Sequence, residues 1–271
     1  MSLALVLGGG GSAAVGWEIG VLHGLAEEGV ELAAADTIVA TSAGSIVAVR
    51  LRSGAALSEL YEQAGAEVSE PALELDFAAL NRSWAEVVVG ATSADDARRR
   101  IGQLALQATT ITPARRRSEI EALLPSLQWP AGGLAITAVS AATGHLRVFT
   151  HADGVDLIDA VGASCAVPGV WPPVEIAGEP YLDGAVRSPT NAALAAGYDR
   201  AVVLAPLLPA RGLERELTGL NSAVITADAA SVQAFGPNPL DSRVGPAAAV
   251  QGRRQGRAAA AAISARADPT R

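Results

Sequence analysis

Lysine is missing from the chain: all twenty basic residues among its 271 are arginine. Against 28 acidic residues they leave a net charge of −8. That balance is the reverse of a nucleic-acid binder's basic excess and gives no general attraction to anionic lipid. One cysteine, Cys165, excludes an internal disulfide and points to a reducing compartment, so a cytoplasmic location is expected. Aromatic residues make up only 4% although half the chain is hydrophobic, much of it alanine. A core of close-packed helices rather than aromatic clusters is expected. Charged residues reach only 18%, which excludes a disordered chain. No run approaches the ~20 apolar residues of a membrane span. Leu3 to Leu7 follow Met1 and Ser2 with no basic segment, so no signal-peptide layout is read.

What is present reads as alternating strands and helices. Leu3 to Leu7 is short and wholly apolar, like a buried parallel strand. Gly8 to Gly11 break it, and Trp17, Val21 and Leu25 mark a helix from about Ala14 to Glu28, capped by Gly29. A second strand, Thr37 to Ala40, leads through Ser42-Ala43-Gly44 into a helix ending near Arg52. This is the βαβ signature of a parallel sheet. Residues 55–130 read as helical, with Thr112-Pro113 as a helix start. Strands are expected at Leu134 to Ser140, Leu146 to Thr150, Val174 to Ile176, Tyr181 to Asp183, Ala201 to Leu204 and Ala223 to Thr226. Leu157 to Ala166 and a tail from Val244 (about 244–271) read as helices. One α/β domain spanning 1–271 is the simplest organisation.

Three constellations carry candidate chemistry. Ala40-Thr41-Ser42-Ala43-Gly44 places a serine between strand and helix among small residues, as a nucleophile elbow requires. The helix N-terminus there offers unpaired N–H groups and positive potential. A serine N-cap with small packing neighbours accounts for the pentapeptide about as well. The run Gly8 to Gly11 is costly in chain entropy, so something must need close backbone approach. It nearly fits a dinucleotide fingerprint over Gly9 to Ala14, but no acidic residue ends the second strand. The alternative is an oxyanion hole of backbone N–H groups on the same sheet edge as the serine. Asp183-Gly184-Ala185 is by itself an ordinary turn, and gains weight only if the serine needs a base. His23, His145 and His151 have no motif context, and no cluster has metal-ligand spacing.

Together these pieces resemble the patatin-like phospholipase family. Val6 to Gly11 looks like its oxyanion loop, Gly20-Val21-Leu22 like the helix that follows, and Thr41 to Ser45 like its elbow. Ala163 to Val174 is similar to the connection before the last motif, and Tyr181 to Ala185 matches that motif. The resemblance runs from residue 3 to about 205. It implies a three-layer α/β/α fold with a mostly parallel central sheet. It also implies a dyad of Ser42 and Asp183, oxyanion donors at Gly9, Gly10 and Gly11, and supporting roles for Gly44 and Gly184. The implied activity is hydrolysis of lipid or other acyl esters with no cofactor, and with transient contact at a membrane surface.

The sequence departs from the family pattern at three points. Ala13 stands where the loop usually carries a cation, Ala14 replaces its final glycine, and Ala40 begins the elbow. The alternative is therefore a catalytically weak member that binds acyl lipid or a partner; a nucleotide-binding protein stands third. A mobile cover over residues 70–110 is expected. Val170 and Trp171 are candidates for lining an acyl pocket, with core packing as the alternative, and Trp84 and Trp129 lie in the helical region that could cover the site. The arginine triplets at 98–100 and 115–117 are read as solvated helix faces.

Overall fold

The computed structural model describes residues 1–66, 73–207 and 212–265. The start of the expected cover, 70–72, and the end of the expected tail, 266–271, lie outside the described residues.

The chain begins with β1 (Leu3–Leu7), helix α1 (Gly11–Glu27), β2 (Thr37–Thr41) and α2 (Ala43–Leu51). Four helices follow: α3 (Leu57–Gly65), α4 (Phe77–Val87), α5 (Ala94–Gln107) and α6 (Pro113–Leu123). Next come β3 (Gly133–Ser140), β4 (Leu146–Phe149), α7 (Leu157–Ser164), β5 (Val174–Ile176) and β6 (Glu179–Asp183). The chain continues with β7 (Arg200–Ala205), α8 (Leu213–Glu216), β8 (Ser222–Thr226), α9 (Ala229–Phe235) and α10 (Gly245–Ala265). The helices start where chemistry predicts: Asp76, Ser93, Thr112 and Asp228 each cap an N-terminus through the side chain.

The eight strands form one sheet in the order β5-β6-β3-β2-β1-β7-β8, with β4 attached to β3. The central strands are parallel; β4 and β6 run antiparallel to β3, and β5 runs antiparallel to β6. Alternation along the strands sends Leu5, Leu7, Ile38, Ile136 and Leu204 to one face, against α1, α2, α7 and α10. Ala4, Val6, Val39, Ala201 and Val203 face the other way, beneath a 3₁₀ turn at Ala192–Ala195 and the side chains of Leu213 and Leu217. The fold is thus the three-layer α/β/α arrangement, with one thick helical layer and one thin layer.

The alanine and glycine content is spent on close packing. Gly16, Gly20 and Gly24 form a stripe at four-residue spacing along α1, facing the backbone of α10 at Gly245, Ala249 and Arg253. In return, Gly252 and Gly256 of α10 lie on the backbone of Trp17 and Val21. The two helices approach main chain to main chain.

Strand β3 sets the distance between the two candidate motifs. Ile136 and Thr137 pair with Ala40 and Thr41 of β2, and also with Phe149 and Val148 of β4. Ala138 and Val139 pair with Asp183 and Leu182 of β6, and again with β4. A strand has two edges, so β2 and β6 share one of them end to end, running in opposite directions. The residue after Thr41 therefore meets the end of β6.

Candidate active site

Ser42 follows β2 directly and stands just before α2. Its backbone sits at φ 52, ψ −119, a region that side chains rarely adopt. Hydrogen bonds hold the turn: the Ser42 N–H donates to Ser164 Oγ at 2.8 Å, and Ser45 Oγ donates to Ser42 O at 2.6 Å. Gly44 has no room for a Cβ, which would collide with the Leu7 carbonyl. Its N–H donates to Gly8 O at 3.0 Å, which ties the elbow to the glycine loop. Gly184 is similarly pressed on Thr137, so each motif's glycine serves close backbone approach.

The Ser42 hydroxyl donates to Asp183 Oδ2 at 2.6 Å. The other carboxylate oxygen, Oδ1, accepts from the Ala185 N–H at 2.8 Å. Both side chains are buried, at 5% and 3% exposure. Burial pushes the Asp183 carboxyl up to about 7, against the hydrogen bonds from Ser42 and the Ala185 N–H and the more distant charge of Arg116. None of the three histidines lines this site: His23 stacks on Tyr61, His145 pairs with Asp95, and His151 lies in an exposed turn.

The glycine loop borders the pair, with one change from expectation. Gly9 does not offer a free donor, because its N–H donates to Pro189 O at 2.8 Å. Among the described residues, the Gly10 and Gly11 N–H groups have no such partner, and both residues line the pocket with Ser42 and Asp183. Gly11, at φ 65, leaves no space for a Cβ between Pro239 and Leu240. It opens α1, three residues before the expected start, so the loop itself forms a helix N-terminus.

The pocket has a volume of about 380 Å³. Its walls are largely apolar, with Phe77, Trp84 and Ile101 from α4 and α5, and Val167, Pro168 and Leu240 from the loops. The α4–α5 pair thus stands over the dyad, as a cover would. Trp84 Nε1 donates to Pro168 O at 3.2 Å, and Asn238 Nδ2 holds Leu73 O at 2.8 Å. The two expected lining residues, Val170 and Trp171, sit elsewhere, and so does Trp129. Trp129 donates to Val155 O and packs on the main core; Trp171 lies 3.9 Å beneath the Arg116 guanidinium; Val170 is not in the wall. The arginine triplets are tied up by Asp95, Asp96, Glu119 and Asp159. Among the described residues no group of His, Cys, Asp or Glu could hold a metal ion. No helix among them is long and apolar enough to cross a membrane.

Two buried residues that support the site were not singled out from the sequence. Asn191, at φ 51 and fully buried, holds its Nδ2, with two hydrogens to share, 2.9–3.3 Å from four acceptors: Thr41 Oγ1, Thr137 Oγ1, Gly184 O and Ser188 O. It links the residue before Ser42 to the residue after Asp183. Glu18 is also fully buried; its Oε1 accepts from the Gly8 N–H at 2.7 Å, and burial holds its carboxyl well above the usual range. An acid inside the apolar Gly16-Trp17-Glu18-Ile19-Gly20 stretch was the available signal for Glu18; Asn191 had none.

A serine hydrogen-bonded to a lone carboxylate at the carboxyl edge of a mostly parallel α/β sheet defines the class. The family model "Patatin-like phospholipase" matches residues 5–196, and the chain belongs to that family. No curated protein matches it in sequence. Among solved structures it is similar to VipD from Legionella pneumophila, at 12% identity and TM-score 0.47, covering 96% of this chain and 66% of that one. It is also similar to the type III effector protein ExoU, at 13% identity and TM-score 0.38, covering 94% of this chain and 53% of that one. The chain spans less than two thirds of the length of either.

Proposed function

We propose that the chain is a lipid acyl hydrolase in which Ser42 is the nucleophile and Asp183 the general base, the described segments working as one domain. The carrying observation is the 2.6 Å hydrogen bond between them at the floor of an apolar pocket. Ser42 Oγ attacks the ester carbonyl while its proton passes to Asp183 Oδ2. The oxygen that becomes negative is held by the N–H groups of Gly10 and Gly11 and by the positive end of α2. Collapse of the tetrahedral centre breaks the ester C–O bond; the leaving alkoxide takes the proton from Asp183, and the acyl group stays on Ser42. A water then gives a proton to Asp183 and attacks the acyl carbon. The Ser42 oxygen recovers that proton, and the free acid leaves. A carboxyl near 7 suits both directions of transfer at neutral pH.

p-Nitrophenyl esters test this reading. Turnover is expected in the native protein, abolition in Ser42→Ala, and a loss of ~10²–10⁴-fold in Asp183→Asn. A fluorophosphonate should label Ser42 and no other residue. Turnover indifferent to both substitutions rejects the dyad. A second reading, an acyl-lipid binder with little turnover, is favoured by the occupied Gly9 N–H, which removes one expected donor. Tight acyl-chain binding without fluorophosphonate labelling would select it.

A further inference from the structure

We propose that the Ser42 pocket takes uncharged acyl esters of the acylglycerol kind in preference to anionic glycerophospholipids. The proposal rests on the hydrolase reading above and adds the substrate class. Among the described residues that line the pocket, the one charged side chain is Asp183, and it is an acid. Among those described residues, no arginine, lysine or histidine lines the wall. The first turn of α1, directly after the glycines, contributes Ser12, Ala13 and Ala14, and the last two are fully buried.

The neighbouring arginines are committed elsewhere. Arg116 stacks on Trp171 and donates to Glu119 at 3.2 Å. Arg187, on the turn after Asp183, donates to Asn191 Oδ1 at 2.7 Å. Arg100, next to Ile101, holds Val89 O and Gly90 O and pairs with Asp96. A phosphodiester drawn into this pocket would lose water and meet no cation among the described lining residues, with only the more distant charge of Arg116 to offset the loss. It would also repel the carboxylate that must accept the serine proton. An alkyl chain on a neutral glycerol ester meets neither penalty. It gains burial against Phe77, Trp84 and Ile101, and its free hydroxyl can bond the exposed amide of Asn81.

The test compares dioctanoylglycerol with dioctanoyl phosphatidylglycerol in the same nonionic detergent micelles, using the full chain. A kcat/KM at least about tenfold higher for the diacylglycerol is expected. Equal or faster cleavage of the phospholipid overturns the proposal. So does failure to cleave the diacylglycerol while p-nitrophenyl octanoate is hydrolysed. Absence of Ser42-dependent hydrolysis of the nitrophenyl ester would instead overturn the underlying hydrolase reading. In Asn81→Arg, the phospholipid-to-diacylglycerol ratio of rates should rise; an unchanged ratio counts against the charge argument.

Discussion

At Ser42 the backbone is held at φ 52, where a Cβ crowds its own main chain. Strain of this kind costs about 1–3 kcal/mol and survives only because the surroundings enforce it. Here they do, through Ser164, Ser45 and the Gly44–Leu7 contact. Ser42→Gly and Ser42→Ala both remove the hydroxyl, but only glycine relieves the strain. In chemical denaturation Ser42→Gly should be the more stable of the two by about 1 kcal/mol. Asp183 gives opposite pH trends for activity and stability. Its carboxyl titrates at about 7 in the fold against an ordinary 3.8. Activity needs the ionised base, so kcat/KM should fall about tenfold per unit as pH drops below about 7. The stability contribution of this group is fully present below its unfolded value and is lost as pH rises through about 7. Melting temperature across that window should therefore decline with pH in the native protein, and decline less in Asp183→Asn. The sequence singled out Ser42 through its small-residue elbow and Asp183 only through the family resemblance, since an Asp-Gly turn is ordinary by itself. It did not show that Gly9 is occupied, since a carbonyl from Pro189 arrives 180 residues later in the chain.

Among the elements, the strand order decides more than any single motif. β2 and β6 abut along one edge of β3, and that junction is what delivers serine and acid to one another. Pairing partners of this kind are long-range and leave little trace in local composition, whereas short apolar runs bounded by glycine made the strands themselves easy to read. The region before β3 was legible as helix, with Thr112-Pro113 marking one of its starts. Its placement over the pocket depends on contacts such as Trp84 to Pro168 that no local pattern encodes. The α1–α10 contact offers a sharp test. A methyl group on Gly20 would strike the Ala249 carbonyl, a main-chain atom that no rotamer change can move. Although alanine is the better helix former, Gly20→Ala should destabilise the protein by about 1–3 kcal/mol. Thermal unfolding checks it, and an unchanged or higher melting temperature would show that the helices can separate at little cost.

For the molecule as a whole, charge governs how a substrate surface is approached. A net charge of −8 repels an anionic bilayer over the distance that salt leaves unscreened. Turnover of an ester carried on phosphatidylglycerol vesicles should therefore rise as ionic strength increases from ~0.01 to ~0.15 M, where the Debye length shrinks from about 30 to about 8 Å. On neutral vesicles the same change should have little effect. The interlock of α1 with α10 has a temporal consequence. The helix that carries the glycine loop is made first, and its groove-filling partner emerges more than two hundred residues later. At ribosomal speeds that gap lasts on the order of tens of seconds. Throughout it the glycine face of α1 lacks its partner, and the loop gains that support only when translation reaches α10.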